Sequence, residues 1–185
     1  MTFRIDSSFL PVDLGGGASL VLRDLDTVDE MLALTERNLG RLRKWEHWAH
    51  AEQTREALAA YTTWLVSQYS LGYAVPAAIR LDDQLVGVVT ARTDSYSLVT
   101  ELGFWIDGAF EGRGLVGRAS AALVHRLQNA GAPRIEIKTS VQNDRSRRVA
   151  ERLGFVHEGT LRSALQVGDT RHDLAVYGWV PLTDQ

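Results

Sequence analysis

Three glycines in the stretch Phe110-Glu111-Gly112-Arg113-Gly114-Leu115-Val116-Gly117-Arg118 constrain this chain more than any other feature, because of what flanks them. The apolar run at 98–106 reads as a strand leading in, and residues 119–127 read as the helix that the stretch opens. Glycine lets a backbone turn tightly with its N–H groups pointing inward, while the first amides of a helix favour negative charge. The stretch is therefore an anion cradle with phosphate as the first ligand to consider; a tight strand-to-helix turn without a ligand is the plainer alternative.

Charge is distributed in agreement with a cradle. The net charge is −3, yet between Gly112 and Arg152 nine basic residues stand against three acidic ones, which leaves −9 on the rest of the chain. A positive field confined to the neighbourhood of one glycine loop suits a small polyanion better than a long nucleic acid, so no direct nucleic-acid binding is expected. The other composition figures are those of an ordinary globular protein: 185 residues, 45% hydrophobic, 23% charged, with 16 glycines and 4 prolines. No cysteine is present, which excludes disulfides, thiolate metal sites and a cysteine nucleophile. The N-terminal residues show no basic segment followed by an apolar one, and no run approaches the length of a membrane span, so a cytoplasmic location without membrane contact is expected.

Residues 18–25 read as a first strand after a lead over 1–17, and Gly15-Gly16-Gly17 reads as a turn, since no Lys-Ser or Lys-Thr follows it. Apolar residues at helical spacing from Asp26 to Leu42, and again over 54–71 with Gly72 as the stop, predict two helices. Between them, Trp45, His47, Trp48 and His50 offer aromatic material for a substrate mouth or for the core. His47, His50 and Glu46 lack a third ligand at a defined spacing, so no metal is expected. A hairpin over 73–81 and 85–92 comes next, then the strand at 98–106, the glycine loop, and a helix ending near Asn129. With a strand over 134–139 it forms a right-handed βαβ unit, hence one parallel pair in a mostly antiparallel sheet. A short helix capped at Asn143 and stopped by Gly154, and two closing strands over 155–166 and 171–180, complete a seven-stranded α+β order.

Gly112 to Gly117 fits G-x-G-x-x-G literally, and Glu136 lies 19 residues beyond Gly117, where a dinucleotide fold would set its ribose carboxylate. Chain position weighs against that fold, because only 68 residues follow Gly117 and they yield no further series of parallel βα units. The combination of Glu111-Gly112-Arg113-Gly114, then Asn143-Asp144-Arg145-Ser146, then Arg152-Leu153-Gly154-Phe155 and 157–162 resembles the GNAT family of acetyl-CoA-dependent N-acetyltransferases, more narrowly its RimJ/RimL type, which modifies ribosomal-protein N-termini. The resemblance covers about residues 18–177. Glu111 departs from the family's Gln or Arg, and Val116 replaces its last small residue, with Gly117 one step later.

The resemblance implies a single GNAT domain over 1–185, helices on both sheet faces, and a fourth and fifth strand that splay apart around the cofactor. Acetyl-CoA is the implied co-substrate, with no metal. Backbone groups of Leu102, Phe104, Trp105 and Ile106 would meet its pantetheine arm, and Gly112, Arg113, Gly114, Leu115, Val116, Gly117 and Arg118 its pyrophosphate. Asn143 and Ser146 would line the other side, with Ser146 also able to protonate the leaving thiolate or merely to satisfy its helix's first turn. Glu101 is the candidate base, acting through water; pairing with an arginine is the alternative. Trp45, Trp48, His172 and Asp173 would frame the amine acceptor, which the resemblance gives as a protein N-terminus or a small amine. A small toxin, antibiotic or aminoacyl acceptor, a non-catalytic acyl-CoA-binding module, and a homodimer stay open at this level.

Overall fold

The computed structural model describes residues 3–181. The first two residues of the expected lead and the last four of the expected domain lie outside them. Eight strands, not seven, form one sheet: β1 (Val12–Gly15), β2 (Ala18–Leu22), β3 (Ala74–Leu81), β4 (Gln84–Thr93), β5 (Val99–Ile106), β6 (Arg134–Ser140), β7 (Val156–Val167) and β8 (Thr170–Trp179). The added strand is β1, folded onto β2 by Gly15, Gly16 and Gly17, all at positive φ. Four residues with one bulge carry too little alternation to announce a strand. The parallel pair expected between the fourth and fifth strands is consequently β5 with β6.

The spatial order is β1-β2-β3-β4-β5-β6-β8-β7, antiparallel everywhere except at β5/β6. That junction pairs only Val99 with Arg134, Thr100 with Ile135 and Glu101 with Glu136. Beyond it, β5 stays bonded to β4 as far as Ile106, and β6 stays bonded to β8 as far as Ser140. Each strand follows its antiparallel neighbour, so the sheet opens into a V with one unpaired backbone edge on each arm.

Helices α1 (Val28–Leu42), α2 (Arg55–Leu71), α3 (Leu115–Asn129) and α4 (Asp144–Arg152) cover the sheet from both sides. Leu115, Ala119, Leu123 and Leu127, one stripe of α3, are buried against Leu20, Val89, Leu102 and Ile135. On the opposite face Met31 and Leu34 of α1 pack with Ala78, Leu85, Val88 and Trp105. Helix α3 starts at Leu115, four residues earlier than the pattern predicts, so Gly117 and Arg118 are helical. A glycine within a helix costs up to about 1 kcal/mol, whereas burying each leucine of the stripe returns about 1.5–3 kcal/mol, and packing wins. Thr54 caps α2 by accepting from Ala57 N at 3.2 Å, and Gly72 at φ +85 ends it. No helix among the described residues is long and apolar enough to cross a membrane.

Candidate active site

The opening of the sheet is the floor of a groove of about 1180 Å³. Phe104, Trp105 and Ile106 of β5 line it where β6 has departed. Gly112, Gly114 and the first turn of α3 form one end, and Asn143 to Ser146 of the α4 N-terminus form the facing wall. The end of α1 and the segment after it close the third side with Asn38, Arg41, Lys44, Trp45 and Glu46. Two helix N-termini thus point into one cavity, and Arg41, Lys44, Arg145, Arg148 and Arg152 add cationic side chains to their positive ends.

The glycines divide into two kinds. Gly112 and Gly114 stand at φ +75 and +72, backbone that side chains disfavour, and Gly114 begins α3 with no side chain capping it. Gly117 has no such reason: its backbone is helical, and a Cβ there would meet nothing within 4 Å. Protein packing does not require glycine at 117, and the absence of a side chain there leaves the amides of this turn bare. Such a cradle fits a diphosphate.

Charged contacts hold the walls. Glu111 bridges Arg41 of α1 and Arg145 of α4, one carboxylate oxygen to each, directly beside the glycine turn. Asp107 caps the single turn Gly108–Phe110 through Ala109 N at 3.1 Å and accepts from Arg37 Nε at 2.7 Å. Burial pushes its carboxyl up, but the Arg37, Ala109 and Asn38 hydrogen bonds and the Arg37 charge outweigh this and hold it below the usual carboxylate range. Glu46 is half-buried at the groove edge, where burial is the largest influence and raises its carboxyl; the Trp48 indole bond and the Arg92 charge oppose this, and Glu101 adds to it.

Of the residues singled out from the sequence, the structure gathers Trp45, Phe104, Trp105, Ile106, Gly112, Gly114, Leu115, Val116, Gly117, Asn143 and Ser146 around this groove. Asn143 Oδ1 accepts from Ser146 N at 3.2 Å, so the helix-capping reading of this pair holds as well. Others stand apart. The Leu102 side chain is buried in the core. Arg113 lies over the Phe110 ring at 4.9 Å, and Arg118 donates to the carbonyls of Leu14 and Gly15 at 3.0 Å each. Glu101 faces Arg92 Nη2 at 3.5 Å and Lys138 Nζ at 3.4 Å, outside the groove lining. Lys138 continues to Glu136 at 2.8 Å and Glu136 to Arg134 at 2.7 Å, so Glu136 is a member of an ion-pair chain. Trp48 is exposed and donates to Glu46 Oε2 at 2.9 Å. Asp173 Oδ1 accepts from Ser163 N at 2.8 Å where β7 bulges, and His172 Nδ1 lies 3.0 Å from Ser140 Oγ. Among the described residues no cluster of three or more His, Cys, Asp or Glu is placed to hold a metal.

Sequence reasoning passed over Arg41, Lys44 and the pairing of Glu111, and weighed Glu46 only as a metal ligand beside His47 and His50. Arg148 entered only as part of the basic surplus, and Arg145 and Arg152 as that and as members of two motifs with no role of their own, although their spacing puts all three on one side of α4. Nothing local marks Arg41, which meets Glu111 across 70 residues.

A family model described as "Acetyltransferase (GNAT) domain" matches residues 19–156. The ribosomal-protein-serine acetyltransferase of Escherichia coli (strain K12) is 30% identical over 152 residues, covering 81% of this chain and 85% of that protein. The putative ribosomal N-acetyltransferase YdaF of Bacillus subtilis (strain 168) is 27% identical over 161 residues, covering 84% and 85%. A solved structure of RimL, a ribosomal alpha-N-protein acetyltransferase in complex with coenzyme A, shares the fold with a TM-score of 0.88 at 22% identity, over 92% of this chain and 98% of that one. The chain belongs to the acetyltransferase (GNAT) family, in its RimJ/RimL branch, and is an acetyl-CoA-dependent acyltransferase.

Proposed function

We propose that this enzyme acetylates the N-terminal α-amine of a protein of the ribosomal class, as the name of its relative from Escherichia coli describes for that protein. The observation that carries the reading is the opening between β5 and β6, which ends at a glycine cradle under two helix N-termini. In this reading the whole of 1–185 is one catalytic domain working in the cytoplasm, with neither a nucleic acid nor a membrane as its ligand.

Acetyl-CoA supplies the acyl group as a thioester. The amides of 113–118 hold the diphosphate, with Arg41 and Arg145 within reach of its charge. The free edge of β5 over 102–106 hydrogen-bonds the extended arm as a further strand would, and backbone N–H groups near its start stabilise the developing oxyanion. Ser146, in the first turn of α4 on the groove wall, protonates the departing sulfur. An α-amine has a pKa of about 8 and a thiol about 8.5, so neither proton transfer is steeply uphill near neutrality. Glu101 reaches the amine only through water, because its two oxygens face Arg92 and Lys138.

The test is a thiol-release screen of short peptides with free N-termini, serine-first among them, against a panel of small amines. Turnover on peptides at least tenfold above that on small amines is expected. Acetylation confined to small amines overturns the protein-terminus reading.

A further inference from the structure

A carboxylate other than Glu101 stands at the place where an amine would enter. Glu46 lines the groove together with its neighbour Trp45 and with Trp105 of β5. Its Oε2 accepts from the Trp48 indole at 2.9 Å, while Oε1 has no hydrogen-bond partner among the described residues. The indole bond fixes the carboxylate and leaves one oxygen to offer. The strand floor nearby is bare. Gly103 lies between Glu101 and Trp105 on one face of β5, is exposed, and has nothing within 4 Å of where a Cβ would stand. It is also the second residue past Glu101, the last to pair with β6. Gly103 therefore leaves this face of β5 without a side chain at the point where the strand has parted from β6.

Resting on the proposed N-acetyl transfer, we infer that Glu46 receives the acceptor's ammonium group and takes its proton. The proton moves to Oε1 and leaves a neutral amine. Its nitrogen lone pair then forms the C–N bond as the C–S bond breaks, the second nitrogen proton ends on the sulfur, and Glu46 returns its own proton to solvent. The charged groups acting on Glu46 are Arg92 of β4 and Glu101 of β5; Lys44 and His47 stand on its own segment, and Arg41 lines the same groove. Burial and the Glu101 charge favour the protonated form, which suits a group that must hold a proton transiently at neutral pH. Glu101, held between two cations, is a positioning residue here, anchoring Arg92 and Lys138 behind the amine.

The experiment measures kcat/KM for a peptide acceptor against pH in the wild type, E46Q, E46D and E101Q, alongside calorimetric binding of acetyl-CoA to each. E46Q is expected to lose about 10²-fold or more in kcat/KM, to show its acid limb displaced up to the acceptor amine's own titration, about pH 8, and to bind acetyl-CoA unchanged. E46D should restore part of the rate together with the wild-type limb, and E101Q should lower turnover while keeping that limb. An E46Q protein within threefold of wild type, or one that keeps the wild-type limb, overturns the assignment alone, as does loss of acetyl-CoA binding in both Glu46 variants. A wild type that binds acetyl-CoA but releases thiol with no amine overturns the acetyl-transfer reading and this assignment with it.

Discussion

Gly117 occupies the first turn of α3, where an added methyl group meets no obstacle and an alanine suits the helix better. Replacing a helical glycine by alanine stabilises by up to about 1 kcal/mol, or about 2–4 °C in Tm at this chain length. The expectation for G117A is therefore a split result: a higher Tm by calorimetry and weaker acetyl-CoA binding by titration. Unchanged affinity would show that the bare amides are not the ligand's footing. Glycines 112 and 114 behave differently, because at positive φ any side chain strains the turn as well as obstructing it. At this scale the sequence was readable wherever a backbone requirement dictates a residue type, as at these turns and at the Asn143 cap. It was silent about Glu111, whose meaning lies in two arginines that arrive from α1 and α4.

Between β5 and α3 the chain makes one 3-10 turn, Gly108–Phe110, and Asp107 pins that turn to α1. Its carboxyl is buried and lower in pKa in the folded protein than in the unfolded chain, so the stability it contributes is present above the unfolded value and is lost as pH falls through the folded one. D107N should therefore lower stability at pH 7 by about 1–3 kcal/mol, measured by urea denaturation. The deficit should shrink as the medium is acidified past the ordinary carboxylate range. A deficit independent of pH would mean that the turn depends on the shape of the side chain and not on its charge. Element existence was legible here from the apolar runs and the caps. The start of α3 was not, because the burial of Leu115 against the sheet outweighs the local cost of Gly117.

Across the whole molecule, the two arms of the open sheet are joined by the three parallel pairs at β5/β6, by the packing of α3 and α4 on their common face, and by ion pairs such as Glu101–Lys138 and Glu111–Arg145. A ligand lying along the opening touches both arms and binds only the folded state. At one hundred times its dissociation constant, acetyl-CoA should add about 2.7 kcal/mol, or roughly 5–10 °C in Tm. Pantetheine, which lacks the diphosphate, should add far less at equal concentration. Equal shifts from both, read by scanning fluorimetry, would remove the cradle from the account of binding.

Taken alone, the amino-acid order determined the strands and helices other than β1 and the start of α3, the glycine turn that needs positive φ, and the class of fold, because these depend on periodicity, capping and backbone sterics within a few residues of each other. The resemblance carried by four spaced motifs then pointed to the cofactor. Only the tertiary structure decided that β5 and β6 part after Glu101, that Glu111 joins two walls of the groove, and that Glu46 and not Glu101 lines it. Those outcomes follow from packing between residues tens of positions apart, where burial and charge are set by neighbours that no local pattern names. The glycine stretch shows both sides: its turn is written in the chain, and its service as an anion cradle depends on α1 and α4 closing over it.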